Sequence, residues 1–246
     1  MRLPCLGSSP DAPFPNVDRA LEQPNGLLAF GGDLSVTRLM RAYRQGIFPW
    51  YSEGQPILWW SPEPRAVFDT GDLHLSRRLR RALRARDWTI HADRNFGAVL
   101  DFCASVPRHD QAGTWIGPEM KHAYMTLAQA GFAHSVEVHD AERLIGGVYG
   151  VNVGPVFCGE SMFGLESGAS SLALAALCRW LSLNKVPWLD AQMPTPHLRS
   201  LGVRCMARSR YLELLAETGE CTLTDSSWSD AMPTWRPRDL FECTRR

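Results

Sequence analysis

The chain has 246 residues, carries 26 acidic and 26 basic side chains, and is 45% apolar. This composition is typical of a folded protein with one large domain or two unequal ones. Because the net charge is zero, any binding of nucleic acid must depend on a local basic patch. No apolar run approaches the roughly 20 residues of a membrane span, and the first residues lack the pattern of a secretory signal.

The cysteines are odd in number, scattered and free of the C-x-x-C spacing of zinc sites. They are Cys5, Cys103, Cys158, Cys178, Cys205, Cys221 and Cys243. We therefore expect neither a disulfide framework nor a metal centre, and we expect a protein of the reducing cytoplasm.

The first part of the chain combines loop signals with a dense aromatic segment. Residues 1–34 are rich in Pro and Gly, which predicts mostly loop. Ser35 is the predicted N-cap of a helix that runs to about Gln45. Residues 46–68 (GIFPWYSEGQPILWWSPEPRAVF) follow, with three tryptophans and a tyrosine. These rings could form a small aromatic core, or a platform that stacks a base at roughly 1–3 kcal/mol per ring. Both interpretations can hold for different rings.

Residues 74–86 (HLSRRLRRALRAR) predict a helix with a positive face, capped by Ser76. The face carries Arg77, Arg80, Arg81 and Arg84, with Arg78 flanking it. No acid occurs between Asp72 and Asp87, so like charges repel at i,i+3 and i,i+4. A solvated surface is one interpretation. Phosphate binding is the other, since arginine forms bidentate contacts with phosphate and a polyanion would remove the repulsion.

The middle of the chain predicts two helices and an antiparallel meander of three strands. The predicted elements are a strand at 88–92, a helix at 93–103, a loop containing 113–116, a helix from Pro118 to Gly131, and strands at 134–140, 143–153 and 155–161.

The stretch from Pro155 to Gln192 predicts strand, loop, helix and strand, with the helix starting near Ser170. It places Glu160 at one strand end, and Asp190 and Gln192 at the next. Strand ends beside helix starts are where α/β proteins build their sites. Beyond it we predict a short helix at 194–201, a strand at 203–207, a helix capped by Ser209 that ends near Glu217, and an irregular tail packed on the body.

This order of elements suggests an α/β (α+β) acyltransferase fold of the N-acetyltransferase (GNAT-like) type, a mixed sheet flanked by helices. In that fold two central strands splay apart and the acyl donor lies in the gap. We expect a small N-terminal domain at residues 1–66 and the GNAT-like domain at 67–246. The loop at 164–169 (GLESGA) lacks the glycine spacing that holds coenzyme A, and Glu166 would repel a pyrophosphate.

Three stretches together resemble one family, the leucyl/phenylalanyl-tRNA–protein transferases. They are PNGLLAFGGDLS with YRQGIFPWYSEGQPILWWSPEPRAV (24–67), VYGV with FCGESMF (148–163), and LDAQ with HLRSLG (189–202). The resemblance covers most of residues 14–215. It departs from many family members at Ala191, where they have Cys, and at Ser171, where they have Lys.

The resemblance implies an enzyme that moves Leu or Phe, and less well Met, from aminoacyl-tRNA to a protein whose N-terminal residue is Arg or Lys. The product is marked for degradation. It implies these roles: Trp50 and Trp115 hold the terminal adenosine; Phe157, Met162, Leu174, Leu177 and Leu189 line the side-chain pocket; Asp190 and Gln192 are catalytic with Glu160 beside them; Arg77, Arg78, Arg80, Arg81 and Arg84 bind the acceptor stem. We expect a monomer without cofactors or membrane contact.

The residues leave several mechanisms open. The donor ester is already activated, so no ATP site or metal is needed, and the acceptor α-amine has a pKa of about 7.7–8. Gln192 can accept a hydrogen bond from that amine. Asp190 can orient Gln192, attract the ammonium or take the proton, and the ribose 2′-hydroxyl could relay it. Glu160 could hold the donor's amino group or the acceptor's basic side chain, or be structural.

Two other functions compete with this one. A coenzyme A-dependent N-acyltransferase could share the fold. A non-catalytic tRNA-binding module could use the arginine helix and the tryptophans.

Overall fold

The computed structural model describes residues 3–106, 115–217 and 228–241. It shows a mixed α/β protein with two sheets flanked by helices. The strands are β1 (Cys5–Leu6), β2 (Leu27–Gly31), β3 (Phe48–Pro49), β4 (Leu58–Trp60), β5 (Arg65–Asp69), β6 (Thr89–Ala92), β7 (Ala133–Asp140), β8 (Arg143–Val153), β9 (Val156–Gly164), β10 (Trp188–Gln192) and β11 (Arg204–Met206). The helices are α1 (Val36–Arg44), α2 (Arg77–Arg84), α3 (Phe96–Ser105), α4 (Pro118–Gln129), α5 (Ala169–Leu183), α6 (Pro196–Ser200), α7 (Arg208–Ala216), α8 (Trp228–Ala231) and α9 (Pro237–Phe241).

A small sheet of order β1-β2-β4-β3 forms from the first 60 residues. The expectation of loop was wrong at β2, where Leu28 and Ala29 are fully buried. The strand exists because β2 pairs antiparallel with β4, some thirty residues later, and that pairing overrides the local Pro and Gly signals. The Ser35 cap is confirmed, since its side chain accepts a hydrogen bond from the Arg38 amide.

The large sheet has the order β11-β5-β10-β9-β8-β7-β6. The predicted meander of β7, β8 and β9 is confirmed, and every neighbouring pair in it is antiparallel. Strand β10 lies parallel to β9 on one side and antiparallel to β5 on the other. Helices α3 and α4 pack with one buried cluster, which includes Tyr149 and Val151, and α5 packs with a second, which includes Val136 and Val138. The two clusters give the sheet a core on each face.

The parallel pair at the centre of the sheet stops early. Strands β9 and β10 pair only from Val156 and Trp188 to Cys158 and Asp190, although β9 continues to Gly164. Each strand also carries a bulge just past the last pair. The extra residue is 160 in β9 and 191 in β10. Bulges bend a strand and redirect its side chains, so both strands change course at the same level of the sheet.

Helices α3 and α7 begin at other residues than predicted. Helix α3 begins at Phe96 with Asn95 as its cap, three residues later than expected. Helix α7 begins at Arg208 and its N-cap is Ala207, so the cap predicted at Ser209 was wrong. Because Ser209 lies inside the first turn, its side chain is past the position that caps the helix.

The C-terminal segment is not irregular throughout, since it contains α8 and α9. Its packing on the body is confirmed: Trp228 is buried and stacks on His134 with ring centroids 4.2 Å apart, and α9 packs against α2 and α5. Parts of the predictions, including Gly113, Thr114, Cys221 and Cys243, lie outside the described residues.

Among the described ranges, no helix is both long enough and apolar enough to span a membrane.

Candidate active site

A pocket of about 650 Å³ opens where β9 and β10 separate. This volume suits a small organic ligand, and the walls are mostly apolar. The predicted site residues that line it are Trp50, Trp115, Glu160, Met162, Leu174, Leu189 and Gln192. Other lining residues include Phe48, Phe68, Ser170, Met193 and His197.

Three of the predicted side-chain-pocket and catalytic residues do not line this pocket. Phe157 lies in the paired part of β9 and its ring packs 5.5 Å from the ring of Trp228. Leu177 lies about one turn beyond Leu174 on α5 and is buried in the core. Phe157 and Leu177 therefore belong to the same buried cluster as the lining residues Leu174 and Leu189. Asp190 is fully buried beneath the pocket.

Glu160 is the bulged residue of β9, and its carboxyl group reaches the pocket. Its Oε1 accepts hydrogen bonds from the hydroxyl of Tyr43 at 2.8 Å and from Nε2 of Gln192 at 3.0 Å. Its Oε2 accepts one from the hydroxyl of Tyr124 at 2.7 Å. Burial raises the pKa of Glu160 to about 7, against the lowering effect of these hydrogen bonds. Burial therefore favours the protonated form of this carboxyl group.

Both carboxylate oxygens of Asp190 accept hydrogen bonds from neighbouring protein groups. Its oxygens accept bonds from Arg65 Nε at 2.8 Å and Arg65 Nη2 at 2.6 Å, from the Tyr211 hydroxyl at 2.9 Å, and from the Gln192 amide at 2.8 Å. The Arg65 guanidinium is also buried and lies over the rings of Phe48 and Tyr211. Paired in this way, Asp190 acts on its protein neighbours and does not reach the pocket.

Gln192 connects the two carboxyl groups. Its backbone has φ of 61°, in the left-handed region that few residues other than glycine adopt, and its amide donates to Asp190. Its side-chain Nε2 donates to Glu160. Within the described residues its Oε1 makes no hydrogen bond, so this oxygen remains available to a donor group of a ligand. Asp190 fixes the backbone of Gln192, and Glu160 fixes its side chain.

The aromatic segment divides between core and pocket. Trp59 is fully buried and Trp60 nearly so, whereas Trp50 is half-buried and lines the pocket. The Trp50 ring meets the Trp60 ring edge to face at 5.3 Å, and the Trp115 ring meets Tyr124 similarly at 6.5 Å. Trp50 and Trp115 thus face the same cavity from separate parts of the chain.

The arginine helix α2 begins at the predicted cap, Ser76, and its five predicted arginines are all exposed. Its apolar side packs on the start of α5, where Gly168 has φ of +86°. A Cβ at Gly168 would lie 3.0 Å from Leu79 and 3.1 Å from Leu83, so glycine is needed for this contact. Ser170, two residues on, lines the pocket. The apolar side of α2 therefore packs on a segment that leads into the pocket lining. Of its arginines, Arg84 also donates to the carbonyl of Phe241.

Sequence reasoning missed four residues that organise the site: Tyr43, Tyr124, Arg65 and Tyr211. The tyrosines occur on helices without any local motif, and only the fold brings them to the carboxyl groups. One signal was available for Arg65, which lies at the start of the apolar run RAVF. A charge at the start of a buried strand requires a buried partner.

These features define a mixed α/β protein with an apolar pocket and an acid–amide pair in its lining, an arrangement typical of enzymes. Two family models match the chain: one described as leucyl/phenylalanyl-tRNA protein transferase over residues 67–216, and one described as the N-terminal domain of the same family over residues 32–63.

Curated relatives agree with this match. A leucyl/phenylalanyl-tRNA–protein transferase of Xylella fastidiosa (strain M23) is 51% identical over 96% of this chain and 97% of its own. One of Xanthomonas euvesicatoria pv. vesicatoria (strain 85-10) is 54% identical over 91% and 90%. The chain belongs to the leucyl/phenylalanyl-tRNA–protein transferase family and is an aminoacyltransferase.

Among solved structures, a functionally unknown conserved protein from Staphylococcus epidermidis ATCC 12228 is similar with a TM-score of 0.40 and 16% identity, covering 58% of this chain and 57% of that one.

Proposed function

We propose that this enzyme transfers Leu or Phe, and less well Met, from aminoacyl-tRNA to the α-amine of proteins that begin with Arg or Lys, which marks them for degradation. The observation that carries the proposal is the position of Glu160 and Gln192 at the floor of an apolar pocket, in a chain of this family. The alternatives, a coenzyme A-dependent acyltransferase and a non-catalytic tRNA-binding module, lack comparable support.

The proposal assigns a binding position to each part of the aminoacyl-tRNA donor. The terminal adenosine lies between Trp50 and Trp115, whose faces can stack a base. The aminoacyl side chain enters the part of the pocket walled by Met162, Leu174 and Leu189, where a flexible methionine accommodates both Leu and Phe. The stem lies on the exposed arginine face of α2, a helix whose apolar side packs on the segment that leads to Ser170 in the pocket lining.

The reaction requires positioning more than deprotonation, because a sizeable minority of α-amines is neutral at pH 7. Gln192 Oε1 accepts an N–H of the amine and directs its nitrogen to the ester carbon. A C–N bond forms, the ester C–O bond breaks, and the amine proton passes to the leaving ribose oxygen, with the neighbouring ribose hydroxyl as relay. Asp190 contributes as a positioning residue, because it holds the strained backbone of Gln192.

The proposal includes the GNAT-like type of the fold. The early end of the β9–β10 pairing supports a GNAT-like arrangement in which the donor lies between splayed strands. We retain as predictions a small N-terminal domain at residues 1–66, a GNAT-like domain at 67–246, a monomer and a cytoplasmic location.

The test is transfer of labelled leucine from charged tRNA to a protein that begins with Arg, with acetyl-CoA as a parallel donor. We expect transfer from tRNA alone, and its loss in Gln192→Ala. The exposed Arg179→Ala variant, which leaves the pocket lining intact, is the control. Acetylation without transfer from tRNA would point to the coenzyme A-dependent enzyme, and inactivity with both donors would point to the binding module.

A further inference from the structure

Three oxygen-bearing side chains form a closed triangle below the pocket. The hydroxyls of Tyr43 and Tyr124 lie 2.6 Å apart, and each also lies within 2.8 Å of a carboxyl oxygen of Glu160. Tyr43 comes from α1, Tyr124 from α4 and Glu160 from β9, so the triangle joins three separate elements. All three contacts are as short as hydrogen bonds between oxygen atoms in proteins.

The triangle contains one more contact than the tyrosines have protons. A phenol hydroxyl carries a single proton and donates one hydrogen bond. Two phenols can therefore supply two of the three contacts, whichever way they point. If Glu160 were ionised, one pair of oxygens would face each other at hydrogen-bond distance with no proton between them. A protonated carboxyl group supplies the third proton and satisfies the whole ring.

The surroundings also disfavour an ionised Glu160. Within the described residues it has no ion-pair partner, because the nearby guanidinium of Arg65 is held by Asp190. The ionisable groups near it include the phenols of Tyr43 and Tyr124, the buried thiol of Cys158, and the buried carboxylate of Asp190, whose negative charge opposes a second one. An uncompensated buried charge is costly, and a buried acid avoids that cost by keeping its proton.

We propose that Glu160 is a neutral acid in the resting enzyme, and that Tyr43 and Tyr124 retain its proton in a closed ring of three hydrogen bonds. For catalysis, this inference rests on the proposed function. A carboxylate beside the attacking amine would favour its protonated form, which cannot attack an ester. A neutral acid can still hold Gln192 through its carbonyl oxygen without trapping the amine as an ammonium ion. Tyr43 and Tyr124 are then positioning residues.

The protonation state can be measured without any activity assay. Infrared difference spectra between the wild type and Glu160→Gln at pH 6 should show the C=O band of a protonated carboxyl group. The matched control is Glu137→Gln, because Glu137 is also buried with a raised pKa and lies outside the pocket lining. The band assigned to Glu160 must remain in that variant. Its absence from the wild-type spectrum at pH 6 would overturn the proposal.

Two further variants test the ring itself. Tyr124→Phe opens the ring, so the Glu160 band should change frequency, and an unchanged band would contradict the ring. A Gln at position 160 can supply the ring with one donor and one carbonyl acceptor, as a neutral acid does, so Glu160→Gln should fold with a similar Tm, and a large loss of Tm would count against the proposal. Transfer of labelled leucine by the wild type is measured in parallel. Failure there would refute the proposed function and leave the spectral result standing.

Discussion

Replacing Asp190 with Ala should destabilise the protein strongly, because it leaves Arg65 buried without its counter-charge. Both side chains are at most 1% exposed, and the pair is joined by two hydrogen bonds of 2.8 and 2.6 Å. Removing one partner of such a pair costs about 3–5 kcal/mol. At roughly 2–4 °C per kcal/mol for a chain of this size, we expect Tm to fall by about 6–20 °C. The Gln192 amide and the Tyr211 hydroxyl also lose their acceptor.

The measurement is thermal unfolding followed by circular dichroism. The matched control is Asp72→Ala, which breaks an exposed pair with Arg204 and should cost about 1 kcal/mol or less. The double variant Asp190→Leu with Arg65→Met should recover much of the loss, since apolar side chains of similar volume often replace a buried ion pair without cost. If Asp190→Ala and Asp72→Ala lower Tm equally, the burial argument is wrong.

Three further predictions concern the tRNA contact, the titration of His139 and the selectivity of the pocket. Reversing Arg80, Arg81 and Arg84 to Glu should weaken tRNA binding but spare transfer from a minimal aminoacyl-adenosine donor, because the stem contacts are lost while the pocket remains. Burial lowers the pKa of His139 to about 4, below its ordinary 6.5. Because the unfolded state binds this proton more tightly, the free energy of unfolding should fall as pH drops from about 6.5 to 4, and His139→Gln should remove that contribution to the pH dependence. Charged tRNA bearing Leu should outcompete one bearing Val by roughly 10-fold or more, because a branched Cβ clashes near the ester, and Met162 should let methionine serve as a third donor.

For each of these three predictions, a specific result would contradict it. Equal loss on both donors after the arginine reversals would exclude the stem contact, and Arg210→Glu, on the exposed surface of α7, is the charge control. A pH profile of Tm that His139→Gln leaves unchanged would mean that the imidazole is not the titrating group. Equal transfer of Val and Leu would refute the pocket assignment.

The sequence predicted the elements whose signals are local. The meander, the Ser35 and Ser76 caps and the helix from Pro118 each follow from residues within one turn or strand. It could not predict β2, because that strand depends on a partner thirty residues away. Nor could it predict the pairing of Arg65 with Asp190, 125 positions apart, which only the fold reveals.

The candidate site was also predictable only in part from the sequence. Glu160, Asp190 and Gln192 were singled out as polar groups in apolar surroundings, and the structure places all three within one hydrogen-bonded network. Their different environments were not predictable, because burial and partners decide them. Asp190 has a counter-charge from Arg65, whereas Glu160 has only phenols and an amide, and burial without a counter-charge raises the pKa of Glu160 to about 7.

The two bulges make the site depend on the length of its strands. Residue 160 is the extra residue of β9 and residue 191 that of β10, so removing either would restore regular pairing. A single deletion at 160 would leave Met162 opposite Val148, but it would remove the Glu160 carboxyl group and the bend that the bulge gives to the strand. Every other side chain could be kept, and the site would still lose Glu160 and the course of the strand around it. In this enzyme, a one-residue gap in an alignment at either position would therefore signal a changed active site more strongly than most substitutions.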